Sequence, residues 1–119
     1  MSQEELTTED RVQISRFVRC VDLLREIDPH MKIGEATSLL TVALNENLTV
    51  GEVGRRTGIP TQTVGTYLRT LGEGLDRKGK PAMGLLAART SPFDAREVIV
   101  RLTPKGGALM DKIRDVIFG

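Results

Sequence analysis

Apolar positions recur along this chain first with the period of helices, then with that of strands. Ile14, Phe17, Val18, Val21 and Leu24 form one stripe, which predicts a first helix over 8–27. Thr7 or Thr8 can open it, Glu9 and Asp10 suit its first turn, and Asp28-Pro29 ends it. Ala36, Leu39, Leu40, Ala43 and Leu44 predict a second helix over 34–45. Two shorter helices follow within 49–73. Thr49 and Glu52 make a T-x-x-E capping box, with Leu48 and Val53 placed as a hydrophobic staple. Gly58 suits a left-handed cap after Thr57, and Pro60 restarts the chain with a helical dihedral. Val64, Tyr67, Leu68 and Leu71 then share one face.

The period changes after residue 84. Val98, Val100 and Leu102 alternate with Ile99 and Arg101, and Ser91-Pro92-Phe93-Asp94 is turn chemistry, so 84–103 reads as a β-hairpin. Thr103-Pro104 opens a last helix over 104–118, with Leu109, Ile113, Val116 and Ile117 as its stripe. Two short helices joined by a tight turn form a helix-turn-helix, and a hairpin after the second helix is a wing. The expected fold is mainly α with a small β-hairpin wing, a winged helix-turn-helix in one domain spanning 1–119.

The outer face of the second short helix carries Thr61, Gln62, Thr63, Gly65, Thr66 and Arg69. Short polar groups, a glycine and a cation let a helix approach base edges and still hydrogen-bond to them. Gln62 suits a bidentate contact to adenine. Thr61, Thr63 and Thr66 suit phosphates or a thymine methyl, and Arg69 a phosphate or a guanine. Arg55 and Arg56 complement the preceding helix dipole, or hold a phosphate.

Charge sharpens this reading. The net charge is only +1, but it is unevenly spread. Residues 49–105 hold ten basic residues (Arg55, Arg56, Arg69, Arg77, Lys78, Lys80, Arg89, Arg96, Arg101, Lys105) against five acids (Glu52, Glu73, Asp76, Asp94, Glu97). The surplus lies on the elements expected to face a polyanion. Arg77, Lys78 and Lys80 fall in a basic stretch at 74–83, which is either an extra grip on the DNA backbone or a solvated surface loop.

With wing and helix pair assigned, the chain resembles the MarR family of bacterial transcription regulators. LTVGEVGRRTGIPTQTVGTYLRTL and GLLAARTSPFDAREVIVRLTPKG carry the resemblance, which covers about 31–119. Asp94-Ala95-Arg96 matches the D-x-R pattern of the family's wings, and Leu102 to Gly106 matches its L-T-x-x-G. The resemblance implies that Arg96 touches the minor groove or backbone and that Asp94 shapes the loop by pairing with it or with an amide. Arg89 lies on the opposing arm. It also implies a homodimer through the N- and C-terminal helices that binds a pseudo-palindrome in double-stranded DNA and represses by blocking polymerase; the alternative for those two helices is that they close the core of a monomer. The chain departs from the pattern in a shortened C-terminal helical region, in the insertion at 74–83, and in Pro60 where a serine cap is common.

Other chemistry has weaker support. Some sensors in the resembled family place a reactive cysteine in the first helix, where Cys20 lies. With an aromatic share of 3% and Tyr67 as the one tyrosine, a packed, inert thiol and no small-molecule effector are expected. His30 has no neighbouring His or Cys in the sequence, so no metal, cofactor or catalytic set is expected and the protein reads as a non-enzyme. No apolar run approaches the roughly 20 residues that span a bilayer, and a single cysteine with an acidic N-terminus suits a cytoplasmic, nucleoid-associated protein. The alternatives are a winged helix used for protein contacts and an accessory DNA-binding factor of a mobile element.

Overall fold

Threonine caps start three of the five helices in the computed structural model, which describes residues 5–76 and 78–119. Thr7 precedes α1 (Thr8–Ile27). Its hydroxyl accepts from the Asp10 amide at 3.0 Å, and Asp10 accepts from the Thr7 amide at 2.9 Å. Thr49 and Glu52 repeat the exchange at the head of α3 (Val50–Thr57). Thr103 accepts from the Gly106 amide at 3.0 Å to open α5 (Pro104–Phe118). Each exchange satisfies amide groups that the helix itself leaves unpaired.

The other two helices start differently from the sequence expectation. α2 (Ile33–Leu44) begins one residue early, because Glu35 accepts from the Lys32 amide at 2.8 Å. α4 (Thr61–Leu71) begins one residue late. Pro60 has φ −54° but an extended ψ of 139°, so it stands outside the helix as its cap. Its ring fixes φ and leaves ψ free. Its carbonyl still accepts the first helical bond, from the Val64 amide at 3.0 Å.

The wing strands β2 (Leu86–Thr90) and β3 (Val98–Leu102) pair antiparallel from Leu86↔Leu102 to Thr90↔Val98. A third strand, absent from the sequence reading, joins them. β1 (Leu48–Thr49) pairs with the other edge of β3 through Leu48↔Val100 and Thr49↔Ile99, giving the order β1-β3-β2. Asn47, at φ 75°, donates its amide to the Val100 carbonyl at 2.9 Å and leads into the strand.

Leu39, Val42, Val53, Val64, Leu71, Leu85 and Leu86 are completely enclosed. The core is aliphatic, as the low aromatic content requires, and holds α2, α3 and α4 against the sheet. α1 gives it only Leu24 as a fully buried residue. Phe17, Val18 and Ile14 stay 70%, 51% and 47% exposed, although Arg16 of α1 donates to the Ile117 carbonyl of α5 at 3.3 Å. The molecule measures 53 × 29 × 26 Å with a radius of gyration of 16.1 Å, where a compact chain of this length has about 13.5 Å.

The insertion at 74–83 folds back on itself. Leu75 and Pro81 form a β-bridge, and the Asp76 carboxylate accepts from the Lys78 and Lys80 amides at 2.9 Å each. Its ends are fixed by Met83 N–H to Thr70 carbonyl (2.9 Å) and Leu85 N–H to Leu71 carbonyl (2.8 Å). Arg77 and the N-terminal residues 1–4 lie outside the described residues. A second tie comes from α5. Thr103 donates its hydroxyl to the Gly84 carbonyl at 2.6 Å, and Lys105 donates to the Met83 carbonyl at 2.7 Å.

Candidate nucleic-acid interface

The turn between α3 and α4 is built from small groups. Gly58 takes φ 75°, the left-handed cap expected there, and its amide bonds the Gly54 carbonyl at 2.9 Å. Thr57 donates to the Val53 carbonyl at 2.8 Å and accepts from the Ile59 amide at 3.2 Å. A Cβ on Gly54 would lie 3.2 Å from both the Ile59 carbonyl oxygen and Thr61 Oγ1. The glycine lets α4 leave the turn close against α3.

Geometry of that kind fixes which face of α4 turns outward. Val64, Leu68 and Leu71 are buried, and Tyr67 is half-buried over the start of α2. Lys32 Nζ sits 5.9 Å from the Tyr67 ring centroid. Thr61, Gln62 and Arg69 are exposed, while Thr63, Gly65 and Thr66 are partly so. Open space surrounds Gly65 where a Cβ would stand. The six positions singled out in the sequence therefore lie away from the core side of one helix. Arg55 and Arg56 are exposed in the last turn of α3.

The wing turn is closed by Ser91 N–H to Glu97 carbonyl at 2.9 Å and by Glu97 N–H to Asp94 carbonyl at 3.0 Å. Asp94 combines both pairings expected of it. It accepts from the Arg96 amide at 2.9 Å and from the Arg96 guanidinium at 3.2 and 3.3 Å. The guanidinium bonds first, and the amide second, hold the Asp94 carboxyl below its ordinary pKa. The Arg96 side chain remains 90% exposed. Arg89 donates to the Ala88 carbonyl at 2.9 Å and lies 3.7 Å from Glu73, a partner the sequence reading missed. Both groups are more than half exposed, so this pair orients Arg89 and adds little stability. Ser91, read from the sequence as turn chemistry, is buried in that turn. Its side chain accepts from the Phe93 and Asp94 amides at 3.2 and 3.4 Å.

A groove of about 380 Å³ separates α4 from the wing, with Gly65, Leu68 and Arg69 on one wall and Ala88, Val98 and Val100 on the other. A second cleft of about 600 Å³, mainly apolar, lies among α1, α2 and α5. Phe17, Cys20, Met31, Ile33 and Ile113 line it, with Cys20 half-buried. The expectation that the chain lacks a small-molecule effector gains no support from this cleft. His30 is exposed. Among the described residues no group of three His, Cys, Asp or Glu is placed to hold a metal, and no helix is long and apolar enough to cross a membrane.

Five helices, a three-stranded antiparallel sheet, and α4 set beside a two-stranded wing decide the architecture. This is the MarR-like winged helix. Among solved structures of that fold, the S. aureus MepR–DNA complex superposes with a TM-score of 0.67 at 17% identity, covering 92% of this chain and 82% of that one. Transcriptional regulator Tm0710 from Thermotoga maritima gives 0.69 at 20% identity, over 90% of this chain and 68% of that one. The PcaV transcriptional regulator from Streptomyces coelicolor gives 0.58 at 22% identity, over 90% and 70%. No family model and no curated protein sequence matches the chain. The MarR-like fold is thus shared at a sequence identity where backbone is kept and most side chains differ.

Proposed function

We propose that this chain is a double-stranded-DNA-binding transcriptional regulator, a repressor that recognises a pseudo-palindrome as a homodimer. The observation that carries the reading is the outward face of α4, where Thr61, Gln62 and Arg69 are exposed and Thr63, Gly65 and Thr66 are partly so, beside a wing that presents Arg96. α4 enters the major groove, where Gln62 reads adenine and the threonines contact phosphates or thymine methyl groups. A phosphate backbone runs through the groove between α4 and the wing, and Arg96 follows it to the minor groove. Arg55, Arg56 and Arg89 add backbone contacts. Lys78 and Lys80 of the insertion add more, together with Arg77. MepR has been solved bound to DNA in this fold.

The uncovered apolar positions of α1 (Ile14, Phe17, Val18) and of α5 (Ile117, Phe118) support the dimer. A second copy would remove them from water, at about 25 cal/mol per Å² of apolar surface. Two α4 helices then read half-sites about 34–36 Å apart.

Selection from random duplex DNA at two salt concentrations, paired with sedimentation of the complex, tests the reading. The expected result is an enriched pseudo-palindrome bound by two chains. Affinity should fall with salt by nearly one log–log unit for each phosphate contact. Weak binding without enrichment would instead assign the α4 face to a protein partner.

A further inference from the structure

Phe93 is 97% exposed, the most exposed large apolar side chain among the described residues. It is nonetheless held in place. Its amide bonds Ser91 Oγ at 3.2 Å, the same oxygen takes the Asp94 amide at 3.4 Å, and the turn closes from Ser91 to Glu97. Pro92 stiffens the approach to it. The backbone that presents this ring is already ordered, so a contact made by Phe93 has little ordering entropy to overcome.

Placement says what that contact is. The wing continues outward from the groove rim at Ala88 and Val98 into the turn that carries Phe93. With α4 in the major groove and a backbone in the α4–wing groove, this turn reaches the neighbouring minor groove. Asp94 neutralises only part of the cationic edge, since the Arg96 side chain stays 90% exposed two residues beyond it. A cation beside an apolar ring is the pairing that minor-groove proteins insert, the cation toward the narrow groove's negative potential and the ring between base steps.

We infer that Phe93 is an apolar wedge. It enters the minor groove flanking each half-site and partly unstacks one flexible base step, such as TA or CA/TG. The inference rests on the DNA-binding reading and adds a contact that reads DNA deformability.

The test uses the full chain and its selected duplex, with 2-aminopurine placed in turn at the steps flanking each half-site. Wild type should raise the fluorescence at one step per half-site. Phe93→Ala should abolish the rise and weaken binding roughly tenfold to a hundredfold, with the salt slope unchanged because no phosphate contact is lost. Phe93→Leu should retain most of both. Phe93 touches nothing that folds the domain, so matching melting curves for the three proteins keep the comparison clean. Phe93→Ala binding and fluorescing like wild type would overturn the wedge, as would lost affinity without any fluorescence change. Failure of wild type to bind any duplex would instead sink the DNA-binding reading itself.

Discussion

Tyr67 lies so close over Gly34 that position 34 has no room for a side chain. A Cβ there would stand 2.6 Å from Tyr67 Cε2 and 3.1 Å from Cζ. α4 therefore registers on α2 through a ring and a glycine. Gly34→Ala should displace the ring rather than unfold the domain. The overlap costs about 1–3 kcal/mol if nothing moves, and the gain in helix propensity offsets up to about 1 kcal/mol. Tyr67 is the sole tyrosine and the chain has no tryptophan, so tyrosine near-ultraviolet dichroism should change. DNA affinity should fall with it. An unchanged spectrum would show that the ring does not set α4.

Removing base contacts and removing backbone contacts should separate in binding data. Gln62→Ala should relax preference at one base pair, by about 1–3 kcal/mol of discrimination, at an unchanged salt slope. Arg96→Ala should weaken binding to all sequences and reduce the slope by nearly one. Unaltered preference and affinity for the first variant would mean that α4 is placed wrongly in the groove.

Thr103 joins three elements, as cap of α5, donor to Gly84 and end of the wing. Thr103→Ala should lower unfolding stability by about 1–3 kcal/mol, from a lost cap and an unpaired carbonyl. Gly106→Ala should be at least as damaging. Its Cβ would overlap the Leu85 carbonyl oxygen, which is backbone and has nowhere to go. Denaturant melts would measure both.

Two carboxyls tie local structure to pH. Asp94 is held low first by the Arg96 guanidinium, and Glu52 first by the Thr49 amide and then by its hydroxyl. A depressed folded-state pKa means that the stabilisation is complete above the unfolded-state value. It is lost as pH falls through the folded-state value, below the ordinary carboxylate range of about 4. Wing and α3 cap should therefore be intact at neutral pH and loosen only in acid. The Arg96 amide resonance should follow that acid transition in wild type and lose it in Asp94→Asn.

Phe17→Asp should leave the fold intact, because that ring is 70% exposed in the monomer. It should nevertheless split the proposed dimer, and with it any cooperative binding of two half-sites. Sedimentation of the variant as a dimer would place the interface elsewhere.

Helix ends were legible in the sequence because caps are local chemistry. Thr49-Val-Gly-Glu52, Gly58 and Thr103-Pro104 each act within four residues, and each stands where the spacing predicted. β1 was not legible. Leu48-Thr49 reads as the lead into a capping box, and its role as a strand depends on Val100 and Ile99, about fifty residues away. The insertion was hidden for a similar reason. Its basic and glycine-rich composition resembles a loop, and its order lies in the Leu75–Pro81 bridge and in the Asp76 carboxylate turned inward onto two amides. At the candidate site, the outward face of α4 followed from periodicity. Arg89 turning toward Glu73 depended on how the wing packs beside α4.

The ties among Thr70, Met83, Gly84, Leu85 and the first turn of α5 also bear on how the molecule opens. They cross-link the end of α4, the end of the insertion and the head of α5 by backbone hydrogen bonds and by the Thr103 and Lys105 side chains. Amides joined in this way exchange with solvent together. Those of Met83, Leu85, Thr103 and Gly106 should share one protection factor, close to that of global unfolding. The Phe93, Asp94 and Arg96 amides of the wing turn, held by side-chain oxygens, should exchange orders of magnitude faster. The junction behind α4 is slow, and the tip of the wing is quick.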